Sequence, residues 1–162
     1  MIAGDQVSVS ILVRVPPAEA FRVFTEEIDQ WWRHGLKWRV AKDRGIMAIE
    51  PKVGGRLFES FKTKAGDKVV QTGTVLAWEP PSRLLLEWRG VNFRPGQRTE
   101  VEIHFAPSPS GTMVKLVHRG WSQIPADHPA RHGEETAVFM RSMGMWWSDL
   151  LVVLREQAET GT

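Results

Sequence analysis

The sequence predicts an α+β chain in which a curved antiparallel sheet wraps around one long C-terminal helix, with two short helices following the first strand. Three observations predict it. The stretch Gly133 to Ala158 carries apolar residues at helical spacing over about seven turns. The middle of the chain, from Leu36 to Arg119, reads as a series of strands cut by Gly- and Pro-containing turns. At 162 residues, without repeat, low-complexity segment or linker, the whole fits one domain, 1–162, with its core at about 7–158.

Val7, Val9, Ile11, Val13 and Val15 alternate with Gln6, Ser8, Ser10, Leu12 and Arg14, the period of a half-buried strand. Pro16-Pro17 ends it, and Pro17 suits the first turn of a helix over Ala18 to Thr25, with Ala20, Phe21 and Phe24 on one face. Ile28, Trp31 and Trp32 continue into a second short helix or turn; adjacent residues cannot share a helix face, so at most one of the two Trp should be fully core. Leu36 to Val40, Ile46 to Glu50, Arg56 to Phe61, Val69 to Trp78, Leu84 to Arg89, Thr99 to Phe105 and Met113 to Arg119 then form an antiparallel meander. Its turns fall at Ala41 to Gly45, Pro51 to Gly55, Lys62 to Lys68 around Gly66-Asp67, Glu79 to Ser82, Arg94-Pro95-Gly96 and Pro107 to Gly111. Gly120 to Gly133 is a loop long enough to serve as a gate. In the final helix Met140, Met143, Trp147, Leu150 and Leu154 lie on one face, widened by Phe139, Trp146, Leu151 and Val153, while Glu134 and Glu135 in its first turn meet the partial positive charge of its N-terminus.

Composition narrows the function classes. With no Cys there are no disulfides or thiolate metal ligands, which suits a cytoplasmic protein. No leader is visible at Met1 to Ser10 and no stretch approaches the ~20 apolar residues a bilayer crossing needs. The formal charge of +2 is interspersed, and the densest basic stretch, Arg33 to Arg44, is too thin for a nucleic-acid surface. Eight Trp and seven Phe stand against no Tyr, so large apolar walls are available but no phenol for acid–base work.

Five segments carry a family resemblance: Pro17-Ala18-Glu19-Ala20-Phe21, Trp31-Trp32, Glu50 to Arg56, Trp78 to Leu84 and Leu116 to Trp121. Together they resemble the START-like (SRPBCC) superfamily, and within it the group named after the C-terminal domain of the activator of heat shock protein 90 ATPase. The resemblance implies a helix-grip fold with a hydrophobic cavity between sheet and C-terminal helix. Members of the superfamily include lipid carriers, polyketide cyclases and co-chaperone modules tied to stress response. Two features depart from the pattern: Gly144-Met145-Trp146-Trp147 replaces the usual Gly-Trp, and the chain leaves no room for a separate N-terminal activator domain.

The expected function is binding of a small, largely apolar ligand in that cavity, with Trp38, Phe58, Trp88, His118, Trp121, Met140, Met143 and Trp147 as its wall. The alternatives are a chaperone-ATPase-activator-like interaction module, extending to a homodimer through apolar sheet surface around Leu84 to Trp88, and a cyclase-like or hydrolytic enzyme. For the enzyme, His118 with Glu59 is the one candidate acid–base pair. His118 shares its side of the strand with Val114 and Leu116, so it faces inward, either toward a ligand or bonded as a neutral core imidazole to a backbone carbonyl. Glu59 faces inward if Leu57 does, needing Arg56, Arg119, His118 or a ligand amine beside it; it is solvated if Phe58 is the inward residue. His128 and His132 are four apart but flank Pro129 and suit a solvated loop, so no metal is expected. The sequence holds no nucleophile elbow, phosphate cradle or dinucleotide fingerprint, and calls for no cofactor.

Overall fold

The structure, a computed structural model, describes residues 5–32, 45–89, 93–125, 127–128, 131 and 133–160. The predicted strand Leu36 to Val40 lies outside the described residues. Strand β1 (Gln6–Val13) is followed by helices α1 (Pro17–Glu26) and α2 (Ile28–Trp31), by β2 (Ile46–Ile49), β3 (Arg56–Thr63), β4 (Gly66–Glu79), β5 (Arg83–Trp88), β6 (Thr99–Ser108) and β7 (Gly111–Arg119), and by α3 (Thr136–Thr160). The seven strands form one antiparallel sheet in the order β1-β7-β6-β5-β4-β3-β2. β2 to β7 are thus a meander, and the first strand returns to pair with the last.

Alternation decides what the sheet offers the core. Leu84, Leu86 and Trp88 of β5, Val101, Ile103 and Phe105 of β6, and Val114, Leu116 and His118 of β7 are all buried on one face. The opposite face is held by ion pairs: Glu79 with Arg83, Arg83 with Glu102, and Glu102 and Glu100 with Arg119. Arg83 and Arg119 together hold the Glu102 carboxyl down at about 2 despite its partial burial. α3 lies along β1 and touches α1 and α2, burying Phe139, Met143, Trp147, Leu150, Leu151, Leu154 and Ala158. Aromatic pairs, edge to face or tilted, continue from Trp147 through Trp32, Trp31, Phe24, Phe105 and Phe21 to Trp78, with ring centroids 4.6 to 5.6 Å apart. A single aromatic spine therefore ties α1, α2 and α3 to the sheet.

Four local expectations are corrected. Trp31 and Trp32 are both buried, because Trp32 caps α2 at φ −85° and ψ 48° and leaves helical register, so the two indoles reach different neighbours. The turn between β3 and β4 is Lys64-Ala65; Gly66 already pairs with Thr63, whose hydroxyl donates to the Gly66 carbonyl. α3 starts at Thr136, since the first helical bond runs from the Phe139 N–H to the Glu135 carbonyl, so Glu134 and Glu135 precede the helix. α3 is also long enough, with a mean hydropathy of 1.2, to cross a membrane by composition alone, although its buried residues make it the core helix of this fold.

Candidate functional site

At the meeting of α3, β6 and β7 both ring nitrogens of His118 are bonded. The Trp147 indole Nε1–H, which can only donate, points to His118 Nδ1 at 3.1 Å. That assigns the lone pair to Nδ1 and the proton to Nε2, which lies 2.8 Å from Thr99 Oγ1. Thr99 in turn donates to the Trp88 carbonyl at 3.0 Å. Burial pushes the His118 imidazole down to about 3, so it is neutral near pH 7. The imidazole thus satisfies two side chains rather than a backbone carbonyl, and it links the helix to the sheet. Trp88 and Trp121 pack around it with ring centroids 5.7 and 5.0 Å away, and Phe139 lies 4.8 Å from Trp121.

Of the expected cavity wall, Trp88, His118, Trp121, Met143 and Trp147 are brought together, all at most 4% exposed, and they pack on one another as core. Met140 is half-buried at the margin of this cluster. The choice between the two neighbouring Trp is resolved by helix phase: Trp147 faces His118, and half-buried Trp146 flanks it beside Trp32. Phe58 is not in the cluster. Leu57 and Glu59 are the buried residues of β3, so Phe58 takes the outer face, where the exposed Arg56 guanidinium lies 4.8 Å from its ring centre. Trp38 lies outside the described residues.

The candidate acid–base pair is separated. Glu59 is completely buried and faces inward, on β3, whereas His118 is on β7, with β4, β5 and β6 between them. Four strand spacings of about 4.8 Å amount to roughly 19 Å along the sheet, far beyond a hydrogen bond. Arg56 pairs with Glu50, and Arg119 with Glu100 and Glu102, so neither expected cation serves Glu59. The Glu59 carboxylate instead lies against Gly45, where a Cβ would collide with it.

Two described residues of the loop after β7, His128 and Arg131, are buried. His128, expected in solvent, is buried with its ring 5.4 Å from Phe93; His132 is outside the described residues. Buried Arg131 donates to the Ile124 carbonyl at 3.1 Å and to Thr136 Oγ1 at 3.0 Å, and its guanidinium carbon sits 5.0 Å from the Phe139 ring centre. It fastens the loop to the start of α3. Arginine in a Pro- and His-containing loop gives no periodic signal, so sequence pattern had no means of finding it.

Among the described residues, open apolar space lies beside α1. A groove of about 540 Å³ runs between α1 and the strands, with Phe21, Ile49 and Trp78 as its apolar surface, Ala18 at its lip and Arg22 and Glu26 on the helical rim. Phe21 and Trp78 meet edge to face at 5.1 Å, which fixes one side of the groove. Ile49 shares its face of β2 with Met47, and Met47 pairs across to Glu59. The groove floor therefore leads along β2 toward the buried carboxylate, two residues or about 7 Å further on. Phe21 and Trp78 were visible in sequence as a helix-face residue and a strand end, but only the fold sets them side by side.

A curved antiparallel sheet with α1, α2 and a long C-terminal helix packed on it defines the helix-grip class of α+β proteins. The chain belongs to the family of activator of Hsp90 ATPase homolog 1-like proteins, whose model matches residues 14–151. No curated protein matches the sequence. Among solved structures, MLL2253 from Mesorhizobium loti is 22% identical, covering 98% of this chain and 99% of that one at a TM-score of 0.64. The Aha1 dimer from Colwellia psychrerythraea is 18% identical, with 98% of each chain covered and a TM-score of 0.62. DynU16, from the dynemicin biosynthetic locus, is 21% identical over 98% of this chain and 48% of its own, at a TM-score of 0.62. At these identities the structures show a shared fold.

Proposed function

We propose that the protein is a binding module for a small, largely apolar molecule, held between the sheet and the helical layer in the groove beside α1. The observation that carries this reading is the groove itself: about 540 Å³, faced by Phe21, Ile49 and Trp78, and rimmed by Arg22 and Glu26. That volume falls within the range of roughly 300–1,000 Å³ of small-molecule sites, and the mixture of an apolar surface with a few polar groups is their usual chemistry. The His118 cluster supports the choice of place, since its rings pack on one another and both His118 nitrogens are bonded. Catalysis through His118 and Glu59 is not part of the reading, because three strands separate them.

The test uses 1-anilinonaphthalene-8-sulfonate as an apolar probe, titrated against the protein and against Ala18→Trp. Ala18 is exposed at the groove lip, so the larger side chain obstructs the groove without entering the core. Saturable one-site binding that weakens at least tenfold in Ala18→Trp is expected. Equal binding by both proteins, or none by either, overturns the reading.

A second reading, docking to a chaperone or to a copy of itself, is favoured by the family and by the dimeric Colwellia relative. Its expected surface, the outer side of β5, offers little: Leu85 is half-buried and its neighbours Arg83 and Glu87 are charged and ion-paired. Large exposed apolar residues occur elsewhere, three of them on α3.

A further inference from the structure

We propose that a second cavity, on the outer side of the sheet at the end of β5, binds a small organic carboxylate through Arg89. The cavity is about 410 Å³, within the roughly 300–1,000 Å³ of small-molecule sites, and shares no residue with the groove beside α1. A bulge in β4 shapes its wall. Leu57 of β3 pairs with Gly73 and Phe58 with Gln71, so Thr72 is an extra residue on β4. Gln71 and Thr74 thereby come to the same side, where the Gln71 amide donates to Thr74 Oγ1 at 3.1 Å and to the Gly73 carbonyl at 3.0 Å. Thr74 pairs with Glu87 of β5, two residues before Arg89, and all four side chains line the cavity.

Arg89 sets the charge of this cavity. Its Nε–H donates to the Gln97 carbonyl at 3.0 Å and an Nη2–H to the Arg94 carbonyl at 2.8 Å, which uses two of the five guanidinium N–H bonds and leaves three. Among the described residues those three have no partner and no carboxylate pairs with Arg89. Glu87, the acid beside it, is answered by Arg98 at 3.1 Å, so Arg89 is left as the uncompensated charge. A half-buried guanidinium fastened to two backbone carbonyls has already lost much of its rotamer freedom, and holding an anion costs it little more. Its planar N–H groups match the two oxygens of a carboxylate. One arginine balances a carboxylate's single charge, whereas a phosphate group near pH 7 carries more. Val70 and Phe93 add apolar lining, and Phe93 is fixed from the core side by Trp88, edge to face at 5.6 Å, which suits an organic acid over a bare inorganic anion.

Benzoate is the probe, with benzamide as its neutral counterpart, followed at the Arg89 Nε–H and the β4 backbone amides by proton–nitrogen correlation NMR. Saturable one-site shifts in the millimolar range are expected for benzoate, with benzamide about tenfold weaker. Gln71→Glu puts a carboxylate of the chain's own on the cavity wall and leaves Arg89 with both its carbonyl contacts, so it should weaken benzoate about tenfold. Gln71→Ala loses the same amide bonds without adding charge and should bind benzoate within about twofold of the native protein. The proposal is overturned by the absence of a saturable shift up to about 50 mM benzoate, by equal binding of benzamide, or by equal effects of Gln71→Glu and Gln71→Ala. Inorganic phosphate binding at Arg89 more tightly than benzoate overturns the carboxylate assignment in favour of phosphate. Because the readout is at Arg89 and not in the groove beside α1, this proposal and the apolar-ligand reading fail separately.

Discussion

Lowering the pH from 7 to 5 should destabilise the protein through His118, the one group among the described residues held below its ordinary value in that window. In the unfolded chain an imidazole titrates near 6.5; in the fold, burial pushes His118 down to about 3. Between these values the unfolded state binds a proton that the folded state refuses. Stability is therefore complete above pH 6.5 and falls as pH drops toward 3, by about 1.4 kcal/mol per unit, or about 2 kcal/mol by pH 5. Glu102, held at about 2 against an ordinary value of 4.5, adds its own loss only below that value, so it does not contribute in this window. Urea unfolding at pH 7, 6 and 5 measures the effect; with a slope of about 2 kcal/mol per molar, the midpoint should fall by about 1 M. His118→Gln keeps a donor and an acceptor but no titrating ring. It should be weaker than the native protein at pH 7 and nearly flat between pH 6.5 and 5. An unchanged native midpoint, or the same fall in His118→Gln, would refute the assignment of His118 as a buried neutral link.

Further expectations follow from single contacts. Trp147→Phe keeps the ring packing but leaves His118 Nδ1 buried without its donor, so it should cost about 1–3 kcal/mol in urea unfolding, and more than Trp146→Phe beside it. Leu154→Ala removes a fully buried side chain from the α3 contact and should cost about 2–5 kcal/mol, seen as a lower thermal midpoint. Gly45→Ala drives a methyl into the Glu59 carboxylate and should destabilise by calorimetry, with Gly45→Ala/Glu59→Ala less affected than the two single losses added together.

Periodicity carried the fold because the constraints it records are local. The alternation of β1, the Pro17 start of α1 and the three-and-four spacing in α3 each depend on a residue's own neighbours, and each holds in the structure. The errors came where two elements compete for one residue. Trp32 escapes the helix-face rule by capping α2, and Phe58 and Glu59 could not be assigned to faces until β3 was paired between β2 and β4. His118 was legible as an inward residue from Val114 and Leu116, but its partners Thr99 and Trp147 are 19 and 29 residues away. No spacing rule connects them. The groove beside α1 is a product of packing between Phe21, Ile49 and Trp78, residues whose sequence contexts share nothing.

The family resemblance supplied the cavity as an expectation, and the groove beside α1 is where we propose that it lies. Among the described residues, the aromatic side chains beneath α3 close on His118, and an open apolar groove lies beside α1. A crystal structure of the protein with the tightest ligand from a native mass-spectrometric screen of small apolar compounds tests this placement directly. The account predicts ligand density over Phe21, Ile49 and Trp78, with the Trp147–His118–Thr99 chain unbroken. Density wedged between Trp147 and the sheet, with that chain broken, would contradict it.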